Sequence, residues 1–161
     1  MMKALRRLMG RPAVENLRPS NFTDVGRLLE IDQACFDKFL PEGTSLQGAS
    51  GMLTVMEKDG VVIGYIGICT IDFRDLRITD IAVDPKHQGH GVGRKFLTKA
   101  IESAASVGLE KLSALVPESN LGALEFFKAC GFMAMDVYPG CYESRDCDGI
   151  LMVRAVPRMK S

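Results

Sequence analysis

"ITDIAVDPKHQGHGVGRKFL", residues 78–97, sets glycines at positions 89, 91 and 93 between an apolar run and an amphipathic one. Each glycine costs backbone entropy, which a chain tolerates where its backbone must turn sharply or approach something closely. Leu76–Val83 reads as a strand ended by Asp84-Pro85. Residues 92–107 carry helical spacing, with Phe96, Leu97, Ala100, Ile101, Ala104 and Ala105 on one face and Gly108 as terminator. Consecutive N–H groups at such a helix start, backed by the positive end of the helix dipole, form an anion cradle, and Arg94 and Lys95 add charge. The plainer alternative is a turn that only joins strand to helix. The spacing is GxGxG, which is neither the P-loop pattern nor the dinucleotide GxGxxG.

Outward from this stretch, the chain alternates short strands with amphipathic helices. Val14–Arg18 is a weak first strand. Ser20, Asn21 and Thr23 offer helix caps, and residues 24–37 place Val25, Leu28, Leu29, Ile31, Cys35 and Phe36 at helical spacing. Residues 40–50 read as a loop with one helical turn at most. Met52–Glu57 and Val61–Asp72 are strand-like, joined by Asp59-Gly60, a strong hairpin signal. Leu112–Val116 is a strand stopped by Pro117. Ser119 or Asn120 caps a helix that runs to about Cys130 and ends at Gly131. Phe132–Val137 and Ile150–Val156 are the last strands. The predicted order is β-α-β-β-β-α-β-α-β-β.

The totals narrow the classes. At 161 residues the chain suits one domain, with a basic lead-in over 1–13, the domain over 14–156 and a short tail over 157–161. Lys plus Arg equal Asp plus Glu at 20 each, which argues against a nucleic-acid or polybasic membrane binder. The apolar runs are too short to span a bilayer. The N-terminal stretch, with Lys3, Arg6, Arg7 and Arg11, is too broken for a secretory leader; it reads as a frayed lead-in, with a transit peptide as the alternative. Five scattered cysteines without CxxC spacing point to reduced thiols and a cytoplasmic location. No metal site is expected: His87 and His90 are the only histidines, and no cysteine neighbours them.

Two motifs carry a family resemblance. Val83, Pro85, Gln88, Gly91 and Gly93 match V-x-P-x-x-(Q/R)-x-x-G-x-(G/A), so the stretch resembles the acyl-CoA loop of the GNAT N-acetyltransferase superfamily. "SNLGALEFFKACGF", residues 119–132, resembles the later motif of that family through Asn120, Ala123, Leu124, Gly131 and Phe132. The resemblance implies an α/β (α+β) GNAT fold: a central mixed, mostly antiparallel sheet of six to seven strands, flanked by helices, with one splayed strand pair. It implies acetyl-CoA as co-substrate and a primary amine as acceptor, the acetyl group moving by direct attack on the thioester. Backbone groups of Ile81, Ala82 and Val83 are then expected to pair with the pantetheine arm, an N–H near Val83 to polarise the thioester carbonyl, and the N–H groups of Gln88, Gly89, His90, Gly91, Val92, Gly93 and Arg94 to hold the pyrophosphate. Asn120 is expected to reach the cofactor's arm.

The chain departs from that pattern where chemistry is expected. Phe127 stands where the family often has a tyrosine acid; it is expected to line the cofactor site by packing. Thr79 and Leu115 stand where some members carry a base. Asp80, acting through water or serving as an ordinary strand-end acceptor, is one remaining candidate; Tyr138 and Tyr142, each as acid, substrate clamp or surface filler, are the others, with the clamp favoured for Tyr142. A thiolate leaving unprotonated at pH 7 forgoes about 2 kcal/mol, which is tolerable. An α-amine of pKa ~8 is neutral far more often than a lysine of pKa ~10.4, a gap of roughly 3 kcal/mol. A weak base therefore favours an α-amine or a small amine of depressed pKa. "CYESRDCDGILMVRA" (141–155) and "LLEIDQACF" (28–36) resemble ribosomal-protein alanine N-acetyltransferases in part. The acceptor stays open between a peptide or protein α-amine and a small-molecule amine, and the oligomer between monomer and homodimer. A degenerate, non-catalytic acyl-CoA-binding module is the alternative reading.

Overall fold

Asp59 and Gly60 take φ of 50° and 83°, the left-handed pair that a tight hairpin turn requires. They join β2 (Leu53–Lys58) to β3 (Val61–Thr70). This is a computed structural model, and it describes residues 13–36, 53–142 and 147–158 of the chain. The expected loop over 40–50, the lead-in and most of the tail lie outside the described residues.

A strand β1 (Glu15–Pro19) is followed by a 3-10 turn, Phe22–Asp24, and by α1 (Val25–Phe36). Asn21 and Asp24 form a reciprocal capping box, so the expected cap is the middle one of the three candidates. β4 spans Asp75–Val83, and the 3-10 turn Pro85–His87 leads into α2 (Val92–Ser106). β5 (Lys111–Pro117), α3 (Leu121–Ala129), β6 (Met133–Tyr142) and β7 (Cys147–Ala155) complete the order. The described strands form one seven-stranded sheet in the order β1-β2-β3-β4-β5-β7-β6. Only β4 and β5 pair in parallel; every other neighbour pair is antiparallel.

The sheet carries a core on each face, while its edge strand β6 is almost wholly exposed. Val55 and Met56 are successive residues, so they point to opposite sides, and each belongs to a different core. The larger core sets Ile63, Leu112 and Val116 against Phe96, Leu97 and Ala104 of α2 and Phe127 of α3. The smaller one packs Leu28 and Ile31 of α1 on Val55, Tyr65 and Ala82.

Two strands run several residues past their expected limits. β6 was expected to stop at Val137 but runs to Tyr142, through Pro139-Gly140. It is the edge strand, where a proline's missing N–H removes no ladder bond, and register shifts at Ala134/Asp136 and Tyr138/Tyr142 absorb the break. β7 starts at Cys147 rather than at Ile150 for the same reason: it pairs with that longer edge. No helix among the described residues is long and apolar enough to cross a membrane.

Candidate active site

The parallel pairing of β4 with β5 lasts four rungs, from Asp75 opposite Lys111 to Ile78 opposite Ala114. Beyond it the strands part. β4 stays paired with β3 through Val83, and β5 stays paired with β7 through Pro117, so neither arm bends alone. The parting coincides with an irregularity: Gly67 faces Asp80 while Ile68 faces Ile78, which leaves Thr79 as an extra residue in β4. From Thr79 to Val83, β4 therefore has no strand partner on its β5 side, and alternate backbone groups face the cleft.

Two cavities meet in this cleft. One, of about 370 Å³, lies between the arms and is lined by Thr79, Asp80, Ile81, Leu115, Pro117 and Tyr142, among others. The second, of about 670 Å³, runs along Ile81, Ala82 and Val83 to Gln88, Gly89, Gly91, Val92, Gly93 and Arg94. Phe36, Ile81, Asn120, Ala123 and Phe127 line both, so the two form one passage. Of the expected site residues, His90 lines neither cavity, and the exposed Tyr138 of β6 lines neither as well. For His90 the ring faces its own loop. Its Nδ1 is 2.9 Å from the Gln88 carbonyl, which can only accept, so that nitrogen carries the proton in this contact.

The loop opens a helix with backbone donors turned outward, an arrangement that suits an anion. Val92, Gly93 and Arg94 open α2 and so have no intrahelical acceptor; the first N–H of the helix to find one is Lys95, which donates to Gly91 O at 3.1 Å. Gly89 and Gly91 take φ of 76° and 81°, and a Cβ at either would meet no atom within 4 Å. The left-handed backbone, not crowding, requires glycine at those two positions. Gly93 is different. A Cβ there would lie 2.9 Å from Cζ of Phe126, so this glycine lets α2 approach α3. Arg94 is exposed beside the cradle, while Lys95 is engaged with Glu15 of β1.

Several side chains are already committed. Gln88 Nε2 donates to the Val83 carbonyl at 2.9 Å, and the Cys35 thiol donates to the same oxygen at 3.2 Å. Burial pushes the Cys35 thiol up, which keeps it protonated for that role. Asn120 Oδ1 accepts the Ala123 N–H at 3.1 Å and so caps α3, leaving its amide nitrogen as the group that can face a ligand. Phe127 is buried and packs edge-on against Phe126 and Phe132, with centroids at 5.4 and 5.0 Å. The Tyr142 hydroxyl donates to Leu115 O at 3.1 Å, and burial, helped by Cys141 and Cys147, pushes its pKa up to about 12. Asp80 is half-buried at the wall of the smaller cavity.

Sequence reasoning missed the contribution of α1. Ala34, Cys35 and Phe36 wall the larger cavity, as do Gly122 and Phe126 of α3. The apolar end of "LLEIDQACF" signalled burial but not the surface it faces.

An acyl-CoA fits what is present. Unbonded amides and a left-handed glycine backbone suit a pyrophosphate, and an unpaired strand edge suits an amide-bearing arm. Comparison with known proteins agrees with this geometry. The family model described as "Acetyltransferase (GNAT) family" matches residues 13–132. The [ribosomal protein bS18]-alanine N-acetyltransferase of Haemophilus ducreyi is 30% identical over 126 residues, 76% of this chain and 86% of that protein. The crystal structure of the ribosomal-protein-S18-alanine N-acetyltransferase from Escherichia coli shares the fold, with a TM-score of 0.71 at 22% identity over 92% of this chain and 97% of that one. So does Ard1 from Thermoplasma volcanium, with a TM-score of 0.76 at 20% identity, covering 89% and 99%. With the parted strands, the amide-lined loop and a family match across most of its length, the chain belongs to the GNAT acetyltransferase family.

Proposed function

We propose that this acetyl-CoA-dependent N-acetyltransferase acts on the α-amine of a polypeptide N-terminus. Acetyl-CoA supplies an activated thioester. The chain's own residues would hold it: the amides from Gln88 to Arg94 at the pyrophosphate, the free edge of Ile81–Val83 along the arm, and the Asn120 amide beside it. Phe127 and Phe36 exclude water where the two cavities meet.

The observation that carries the acceptor is the make-up of the smaller cavity. Among its described lining residues, the only ionisable groups are the Asp80 carboxylate and the Tyr142 phenol. Neither is a strong base near neutral pH, so the amine must arrive substantially neutral. An α-amine does so roughly two-hundredfold more readily than a lysine side chain. Asp80 would accept a hydrogen bond from the incoming neutral amine and, through water, take the proton its nitrogen sheds as the C–N bond forms and the C–S bond to CoA breaks; Tyr142 would clamp the acceptor's first residue. The Haemophilus ducreyi relative, matched along most of both lengths, is named for an alanine of a ribosomal protein, which favours the peptide reading over a small amine and an enzyme over a non-catalytic binder. We place the reaction in the cytoplasm.

The test is thiol release from acetyl-CoA with a peptide beginning in alanine, the same peptide with its α-amine blocked but a lysine present, and free alanine. Activity is expected with the first alone. Equal rates with free alanine would move the acceptor to small amines, and retained activity with the blocked peptide would refute α-amine selectivity.

A further inference from the structure

We infer that Arg27 of α1 is a positioning residue for the cofactor loop, acting through Asp84. The inference rests on the reading that residues 88–94 hold the pyrophosphate. Arg27 reaches across 57 positions of sequence to pair with Asp84 Oδ2, and its Nε donates to Val62 O at 3.0 Å. It therefore ties the start of β3 to the first residue after β4. Asp84 is 7% exposed. Its Oδ1 accepts the Lys86 N–H at 3.0 Å and caps the 3-10 turn, while its own N–H donates to Ile63 O at 2.8 Å. The corner from strand to loop is thus pinned on both sides of one peptide bond: Arg27 holds Asp84, and Cys35, also of α1, holds the Val83 carbonyl.

The loop that follows makes few bonds of its own, since its amides are kept for a ligand. Its shape must therefore be imposed from outside, and Arg27 is the charged contact that α1 makes with Asp84 at its entry. Removing Arg27 leaves the buried Asp84 carboxylate with the His87 ring nitrogen, 3.8 Å away, as its remaining basic side-chain neighbour. The corner then samples other arrangements, and cofactor affinity falls by the fraction of molecules still in the competent one. Once the cofactor is bound, the loop is held in place, so turnover at saturation is kept. A residue that merely stabilised the fold would show the reverse pattern: fewer active molecules with unchanged affinity.

The test uses the full chain with Arg27→Met, Arg27→Lys, Asp84→Asn and the Arg27→Met/Asp84→Asn pair. Arg27 is partly exposed, so its replacement is compatible with folding. Arg27→Met is expected to raise KM for acetyl-CoA about tenfold, with kcat and the amine KM within about twofold of the parent. Arg27→Lys should fall between. The double variant should be no worse than the poorer single one. An unchanged KM for acetyl-CoA alongside a lowered Tm, or additive losses in the pair, would overturn the inference. Gly91→Glu serves as control: if it keeps full acetyl-CoA affinity, the loop reading itself fails, and if it alone loses affinity, only the role of Arg27 fails.

Discussion

The Tyr142 hydroxyl donates to the Leu115 carbonyl across 3.1 Å, fastening the end of β6 to the arm of β5 that diverges from β4. A phenol with its pKa near 12 is a poor proton donor to a thiolate of pKa ~8.5, so clamping suits it better than acid catalysis. Tyr142→Phe is expected to raise the amine KM about fivefold while kcat stays within about twofold. The same shift has a stability signature. Above pH ~10 the unfolded chain releases a phenolic proton that the fold retains, so this contribution is present below pH 10 and lost towards 12. The gap in urea midpoint between the parent and Tyr142→Phe should therefore shrink on going from about pH 9 to about pH 11.5. A constant gap would contradict the buried phenol.

Gly91 separates backbone strain from ligand charge. Gly91→Ala forces a Cβ onto a φ of 81° but into open space, so it should cost about 1–2 kcal/mol of stability and keep acetyl-CoA binding. Gly91→Glu adds a carboxylate to the cradle and should abolish the rise in Tm that acetyl-CoA gives the parent. ATP should raise neither Tm.

Gly93 and Phe126 form a test of packing. Gly93→Ala should lose about 1–3 kcal/mol in chemical denaturation, because the aromatic ring 2.9 Å away must move. Phe126→Leu in the same chain should recover most of that loss. Simple additivity would show that the two helices do not meet there.

Asp24 should govern part of the acid limb of stability. Arg18 binds its carboxylate twice, at 2.8 and 2.9 Å, and holds the carboxyl below its usual range against the opposing effect of burial. That contribution is complete above pH ~4 and is lost as the pH falls further. Asp24→Asn should cost about 2 kcal/mol near neutrality and flatten the decline in acid. An unchanged acid limb in denaturant titrations would remove Asp24 from this role.

For the reaction itself, kcat/KM for the amine should climb from about pH 7 to pH 9, as the neutral α-amine accumulates, and then level. A profile that is flat across this range would reveal a base other than Asp80.

The strand, loop and helix around the glycines were legible because each boundary is set by local chemistry: Asp84-Pro85 stops the strand, Gly91 turns the backbone, and Gly108 ends the helix. The hairpin at Asp59-Gly60 was legible for the same reason. Local chemistry misled at Pro139-Gly140, which reads as an end but sits in an edge strand that tolerates it. The parting of β4 from β5 was expected only through family resemblance, because pairing length depends on two segments distant in sequence. Gly93 showed the same limit. Its reason for being glycine is Phe126 on another helix, and nothing within the loop announces that neighbour. The link from Arg27 to Asp84 was equally hidden, since arginine on a helix surface usually meets water.

The four-rung seam has a consequence for how the molecule assembles. On one side, β1 to β4 are stitched by antiparallel contacts confined to residues 15–83; on the other, β5, β7 and β6 are stitched within residues 111–155. Each block can form from nearby sequence, whereas their junction needs α2 to bridge them first. Hydrogen exchange should find the seam opening more often than either block's interior, and a molecule lodged across the gap should slow that opening by acting as the missing rungs.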